Sequence, residues 1–90
     1  MKISEVKKEK ICEQILFVLY SNSPKSLFTV DIAREIARDE EFIKKLLVDL
    51  KHKNLVLEIK KNPNGLPYLR RSRWKLSEKV YSFYKVKNQN

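Results

Sequence analysis

The stretch that decides the fold is residues 32–56, IAREIARDEEFIKKLLVDLKHKNLV. Its apolar residues recur every three to four positions in two blocks, which is the spacing of helices with one buried stripe. The first block holds Ile32, Ala33, Ile36 and Ala37, and the second holds Ile43, Leu46, Leu47 and Leu50. Two short helices this close together predict a helix-turn-helix, a motif that can place its second helix in the major groove of DNA.

The boundary between the two predicted helices is marked by acidic residues. Asp39 is a residue type whose side chain accepts hydrogen bonds from the first backbone N–H groups of a helix. Glu40 and Glu41 follow it, where the positive end of the helix dipole favours carboxylates. We therefore predict that Asp39 is the N-cap of the second helix.

The outer face of this second helix carries both signs of charge. Helical spacing puts Glu41, Lys45, Val48 and His52 opposite the buried stripe, with Lys44 beside them. Carboxylates near phosphates are repulsive, although a Glu side chain can accept a hydrogen bond from cytosine N4. This mixed face keeps open an interpretation in which the helix contacts another protein.

Residues 55–65 have the pattern of a β-strand followed by a turn. Apolar and polar residues alternate, and the residues predicted to face the core are Leu55, Leu57 and Ile59. Residues 62–65 are Asn-Pro-Asn-Gly, a reverse-turn signal, because Pro presets its φ and both Asn and Gly tolerate positive φ.

A second strand is predicted over residues 68–76, completing a hairpin. Alternation puts Trp74 and Leu76 on its core side. The opposite side would carry Arg71, Arg73 and Lys75. Ser77 can then cap a last helix that runs to about Val86.

Three short motifs follow one another along the chain: IAREI at 32–36, LKHKNLV at 50–56 and WKLSEK at 74–79. In these motifs the chain resembles the small winged helix-turn-helix transcriptional regulators of the broad MarR/PadR-like group. The resemblance covers about residues 10–84. It implies an α+β fold with a three-helix core, a two-stranded β-hairpin wing and a short C-terminal helix. It also implies double-stranded DNA as the partner, with the second helix of the motif as recognition helix.

Positive charge is concentrated on the predicted hairpin. The net charge is +9, and residues 58–76 account for +5 of it. A basic β-ribbon beside a helix-turn-helix is typical of nucleic-acid-binding proteins. The hairpin should supply most of the phosphate affinity. The predicted DNA contacts are Arg34, Arg38, Lys44, Lys45, His52, Lys60, Lys61, Arg70, Arg71 and Arg73.

The first and last helices carry more apolar surface than one small core needs. Residues 4–20 predict a helix. The apolar residues of its inner stripe, with the residue just before the helix, are Ile3, Val6, Ile11, Cys12, Ile15, Leu16 and Leu19. Further apolar surface on the other side comes from Phe17, Val18 and Tyr20. A helix that is apolar all round must be covered on all sides. We predict a homodimer through Phe17, Tyr20, Tyr81 and Tyr84. The alternative is that these rings pack under the loop at 21–28 and against the base of the core.

Catalytic and ligand-binding motifs are scarce. Cys12 and His52 are the only residues of their types and fall on different helices, so neither a metal ligand set nor a Cys–His pair is expected. Gly65 is the only glycine, which excludes a glycine-rich phosphate loop. We therefore expect no catalytic activity, no cofactor and no small-molecule ligand.

Length and composition predict one domain over residues 1–90. No apolar run approaches the roughly 18 residues that a membrane-spanning helix needs, and no signal-peptide pattern follows the first residues. The lone Cys12 favours a cytoplasmic protein. Two alternatives to a DNA regulator stay open. One is a winged helix that contacts protein in a larger assembly, and the other is an RNA-binding winged helix with Tyr68 or Trp74 stacked on bases, although a core position is favoured for Trp74.

Overall fold

The computed structural model describes residues 4–61, 64–65 and 71–87. In these ranges the elements are α1 (Glu5–Ser21), β1 (Leu27–Phe28), α2 (Thr29–Ile36), α3 (Glu40–His52), β2 (Val56–Ile59), β3 (Arg73–Leu76) and α4 (Glu78–Lys87). The strands form one antiparallel sheet in the order β1-β3-β2. The predicted order of helix, helix-turn-helix, hairpin and helix is therefore confirmed.

Side-chain caps begin three of the helices, and two of these caps, at Asp39 and Ser77, are ones that the sequence predicts. Ser4 caps α1, and its side chain accepts a hydrogen bond from the backbone N–H of Lys7. The Asp39 carboxylate accepts one from the N–H of Phe42 at 3.1 Å, which starts α3. Ser77 accepts one from the third residue of α4 at 3.4 Å. These caps satisfy N–H groups that have no partner inside a helix.

Both helices of the motif end in the same kind of backbone turn. Ala37 after α2 and Asn54 after α3 lie in the left-handed region, with φ of 61° and 62°. In each case the N–H of the following residue donates to the carbonyl five residues back at 2.9 Å. This Schellman geometry reverses the chain in few residues. It joins α2 to α3 and leads α3 directly into β2.

The core lies between α1, α2, α3 and one face of the sheet. Both predicted stripes of the helix-turn-helix are buried, except for Ile36, which is half-buried, and Ala37, which is exposed. Trp74 is fully buried, as predicted, and its indole N–H donates to Thr29 Oγ1 at 2.8 Å. That bond ties β3 to the start of α2. The largest fully buried side chains are Trp74, Ile15, Leu19, Ile32, Ile43, Leu47 and Val56.

The buried face of β2 is the opposite of the predicted one. Val56 is 1% exposed and Leu57 is 45% exposed. Leu55 belongs to the turn that ends α3, so the strand starts at Val56, which pairs with Leu76. Because Leu76 faces the core, this pairing fixes which residues of β2 face inward, and a shift of one residue reverses every side chain. The prediction that Leu57 faces the core was wrong.

The sheet has a third strand, which the sequence analysis treated as loop. Leu27 pairs with Trp74, and Phe28 pairs with Arg73. Two residues are too few to show a period of two, so no pattern in the sequence could indicate this strand. In the described residues the predicted two-stranded hairpin is present as β2 and β3, and β1 adds a third strand to its sheet.

The last strand is shorter than predicted. It begins at Arg73, and Arg71 and Ser72 precede it without strand geometry. Tyr68 and Arg70 lie outside the described residues. Among the described residues, the predicted alternation is seen from Arg73 onward, where Trp74 and Leu76 face the core.

The outer surface of α1 matches the prediction in part. Ile11, Ile15 and Leu19 form its buried stripe. Val6, in the first turn of α1, was assigned to that stripe wrongly and is exposed. Ile3 lies outside the described residues.

The aromatic rings predicted at a dimer interface fall into two groups. Tyr20 is half-buried and packs against α4, with its ring 5.4 Å from that of Tyr84 and 5.7 Å from that of Tyr81. This packing follows the alternative in which the tail rings close the base of the core. Phe17 is exposed on the outer side of α1.

Candidate nucleic-acid interface

The outer face of α3 carries the mixed row that the sequence predicts. Glu41, Lys45 and His52 are exposed, and Val48 is half-buried between them. Their spacing aligns them in a row of about 16 Å along the helix. Lys44 is exposed on the side of α3 that faces β3 and the residues before it. The row therefore presents one carboxylate, one ammonium group, one imidazole and one aliphatic side chain.

A groove of about 600 Å³ runs between α3 and the first turn of α1. Phe42, Leu46 and Val48 form its apolar floor. Its rim is charged and consists of Lys8, Glu41, Lys44, Lys45 and Asp49. An apolar floor with charged edges can accept a ligand that combines a hydrophobic group with hydrogen-bonding groups.

Two arginines meet over one aromatic ring at the start of β3. The guanidinium carbon of Arg73 lies 4.7 Å from the ring centre of Phe28, and that of Arg71 lies 5.5 Å from it. The sheet register explains the arrangement, because Phe28 of β1 pairs with Arg73 of β3. Such cation–π contacts contribute about 0.5–1 kcal/mol each at exposed sites. The ring thus fixes two cations next to each other.

A cleft of about 200 Å³ lies where α2, α3 and the start of β3 meet. Lys44 enters it from α3 and Arg71 enters it from the segment before β3. The other lining residues are Phe28, Thr29, Val30, Glu40 and Ser72. Two cations from separate elements, beside the positive end of the α2 dipole, favour an anion here. Among the described residues that line the cleft, the acidic one is Glu40.

Glu58 on β2 contacts three neighbouring polar side chains. Its Oε1 lies 2.8 Å from Lys51 Nζ and 3.9 Å from Lys60 Nζ, and the Ser72 hydroxyl donates to its Oε2 at 2.6 Å. Burial raises the pKa of the Glu58 carboxyl, but the hydrogen bonds from Lys51 and Ser72 outweigh that effect and hold its pKa below the ordinary value of 4.5. The carboxylate offsets part of the hairpin's positive charge, and it anchors Ser72 beside Arg71.

Comparisons with known proteins agree on a fold. No family model and no curated protein matches the sequence. The Zα domain of PKZ from Carassius auratus, solved in complex with Z-DNA, has a TM-score of 0.61 and 21% identity, covering 78% of this chain and 97% of its own. MepR from S. aureus, solved in complex with DNA, has a TM-score of 0.72 and 19% identity, covering 90% of this chain and 64% of its own. The PcaV transcriptional regulator from Streptomyces coelicolor has a TM-score of 0.64 and 18% identity, covering 84% of this chain and 54% of its own.

The fold is a winged helix. Its helix-turn-helix is α2 and α3, with α3 in the position of a recognition helix, and its wing is the hairpin of β2 and β3 with the residues between them. The chain spans 64% of MepR and 54% of PcaV. At these identities the likeness establishes the fold, as the sequence predicts.

The winged helix brings some of the predicted DNA contacts together and leaves others apart. Lys44, Arg71 and Arg73 meet around Phe28 and the cleft. The contacts that lie elsewhere are Arg34 and Arg38 at the end of α2, Lys45 on the outer row, His52 at the end of α3, and Lys60 and Lys61 on the wing, all of them exposed. Arg70 lies outside the described residues.

Four residues at this surface were missed by the sequence analysis: Phe28, Thr29, Glu58 and Ser72. Phe28 and Thr29 come from a segment far in sequence from the wing residues that they contact. One local signal was present, because the carboxylate of Asp31 accepts a hydrogen bond from the Phe28 N–H at 3.3 Å. An acidic residue at this position indicates a helix start just after Phe28.

Outside this surface, the described residues offer little for catalysis or metal binding. Cys12 is half-buried on α1, and burial raises the pKa of its thiol. Less thiolate at neutral pH makes the group a weaker nucleophile. Within residues 4–61, 64–65 and 71–87, no group of three or more His, Cys, Asp or Glu side chains could hold a metal ion. In the same ranges no helix has both the length and the apolar character to cross a bilayer.

Proposed function

We propose that this winged helix binds double-stranded DNA as a transcriptional regulator, with α3 in the major groove and the wing on the phosphate backbone. The observation that carries the proposal is the cleft that Lys44 of α3 shares with Arg71 of the wing. Cations on two elements that face one space can contact the same phosphate and fix the register of the duplex. The solved structures similar in fold include two in complex with DNA.

The predicted contacts take distinct roles under this proposal. Lys44, Arg71 and Arg73 bind phosphates where α3 meets the wing. Lys45 and His52, on the outer row of α3, face the major groove of the DNA. Phosphates farther out are contacted by Arg34, Arg38, Lys60, Lys61 and Arg70. Contacts to phosphate are independent of sequence, so most of the affinity is non-specific.

The test is the fluorescence anisotropy of a labelled mixed-sequence duplex titrated with the protein at about 50 to 300 mM salt. If about four to six cations contact phosphates, log K against log salt should have a slope of about −4 to −5. A single-stranded RNA of equal length is the control. Failure to bind the duplex even at the lowest salt would refute the proposal, and tighter binding of the RNA would favour the RNA-binding alternative.

A second candidate function is contact with another protein in a larger assembly. It is favoured by the apolar floor formed by Phe42 in the groove and by the acidic start of α3 at Glu40 and Glu41. Carboxylates at that position repel phosphates, whereas an apolar groove with charged edges can accept a peptide. This candidate predicts no duplex binding at any salt concentration.

We also propose that the protein acts as a cytoplasmic homodimer. Since Tyr20 and Tyr84 already pack together, the exposed part of the predicted interface is Phe17 and Tyr81, to which α4 adds Phe83. Phe17 is 55% exposed and Phe83 is 63% exposed. Exposed apolar surface of this kind marks contacts between proteins. A twofold dimer would suit two half-sites spaced about one helical turn apart.

A further inference from the structure

Val48 occupies an unusual place in the outer row of α3. Its neighbours in that row, Lys45 and His52, are polar and exposed, whereas Val48 is half-buried and lines the apolar floor of the groove together with Phe42. An aliphatic side chain there has no hydrogen bond to offer a base. Its methyl groups can gain free energy only from a partner that is itself apolar.

The chemical groups at the edges of the base pairs indicate which base could be that apolar partner. In the major groove the thymine C5-methyl is the apolar group, guanine presents two acceptors, and cytosine presents a donor. Val48 therefore complements thymine. Lys45 complements guanine and Glu41 complements cytosine, so a carboxylate that is unfavourable near phosphates is satisfied at a base edge.

The spacing of the row fits neighbouring base pairs. From Glu41 to Val48 the helix rises about 10 Å, which is close to three steps of about 3.4 Å along one strand of DNA. Lys45 lies between them, and Phe42, which lines the groove together with Val48, extends the apolar surface beside that valine. One face of a straight helix can thus contact a short run of neighbouring bases.

We propose that α3 reads a thymine methyl group through Val48, with Lys45 and Glu41 reading a guanine and a cytosine on one side of it. This inference rests on the proposed binding of duplex DNA. It gives the interface a preference for certain DNA sequences, whereas the contacts proposed at the cleft and the wing are made with phosphates.

The experiment starts with selection of bound duplexes from a random pool by the full chain. Each thymine of the selected site is then replaced in turn by 2′-deoxyuridine, which removes only the C5-methyl. We expect at least one thymine of the selected site where the replacement weakens binding about fourfold, the effect of losing one buried methyl-sized group. The same replacement should have no effect on the Val48→Ala variant.

Two controls make the result specific to Val48. Alanine is a better helix former than valine, so Val48→Ala should keep its fold, which circular dichroism checks. Leu57→Ala shortens an exposed aliphatic side chain on the outward face of β2 and should keep the full uridine effect.

The possible results distinguish failure of the thymine contact from failure of the proposed DNA binding. Duplex binding without any selected sequence, or a uridine effect that persists in Val48→Ala, would overturn the thymine contact and leave DNA binding intact. Absence of duplex binding at low salt would overturn both, and would direct attention to a peptide as the occupant of the groove.

Discussion

At the scale of single residues, two buried or half-buried polar contacts join the wing to the helices. One is the bond from the Trp74 indole to the Thr29 hydroxyl, which lies in the core. The other is the group around Glu58, where Lys51 from the end of α3 and Ser72 from the approach to β3 meet one carboxylate. Each contact depends on one side-chain polar group, so a single substitution that removes that group can test it.

Replacement of Thr29 by valine should destabilise the fold. Thr29→Val keeps the shape of the side chain but leaves the buried Trp74 N–H without its acceptor, and we expect the free energy of unfolding to fall by about 1–3 kcal/mol. Thr29→Ser keeps the hydroxyl and should lose less. Chemical denaturation measures both variants, and equal stability of Thr29→Val and the wild type would contradict the prediction.

Glu58 should make stability depend on pH in the acid range. Its pKa in the folded protein lies below the ordinary value of 4.5, so the carboxylate stabilises the fold fully above pH 4.5. That contribution is lost as the pH falls through the folded pKa. Thermal melts of the wild type and Glu58→Gln should therefore differ most at about pH 7, and the difference should shrink as the pH falls below 4.5. A difference that is constant or grows on acidification would contradict the assignment.

At the scale of elements, the turn between α2 and α3 sets the geometry of the motif. Ala37 takes a left-handed conformation that L-residues with a Cβ adopt at a cost of roughly 1–2 kcal/mol. Asn54 takes the same conformation after α3, where its short polar side chain makes the cost smaller. Two Schellman turns thus align α2, α3 and β2 in succession.

Glycine at position 37 should stabilise the protein. Ala37→Gly removes the Cβ that disfavours this conformation, and we expect a gain of about 1 kcal/mol in the free energy of unfolding. Asn54→Gly is the matched variant and should gain less. Urea denaturation tests the pair, and a loss of stability in Ala37→Gly would show that the strain at this turn is not relieved by glycine.

At the scale of the whole molecule, the proposed DNA binding would draw on the arrangement of α3, β1 and the wing together. Substitution of both Arg71 and Arg73 by alanine should weaken duplex binding and flatten the salt slope by about two units. Phe28→Leu is the control, because it removes the ring that positions both guanidinium groups but keeps their charges. It should weaken binding and retain the slope. If the double variant binds like the wild type, the wing assignment is wrong.

The proposed dimer is also a property of the whole molecule. Phe17→Glu and Phe83→Glu each replace an exposed ring of the proposed interface with a charged side chain. Sedimentation velocity should then show monomers for either variant where the wild type is dimeric. Leu57→Glu changes an exposed apolar residue outside the proposed interface and should stay dimeric. A wild type that sediments as a monomer across micromolar concentrations would refute the dimer.

The sequence by itself determined the features that depend on neighbours within about one helical turn. The stripes of α2 and α3, the caps at Asp39 and Ser77, and the excess charge of the wing could all be predicted. These follow from periodicity and from contacts between residues three or four positions apart.

Only the tertiary structure decided the sheet and the surface built on it. The inward face of β2 depends on which residue meets Leu76, and β1 exists because Leu27 and Phe28 pair with β3. The same pairing places Phe28 under Arg73 and Arg71, and the folding of α3 against the wing brings Lys44 to Arg71. Strand register is set by contacts between distant segments, and a shift of one residue reverses it, so local pattern could not fix these positions.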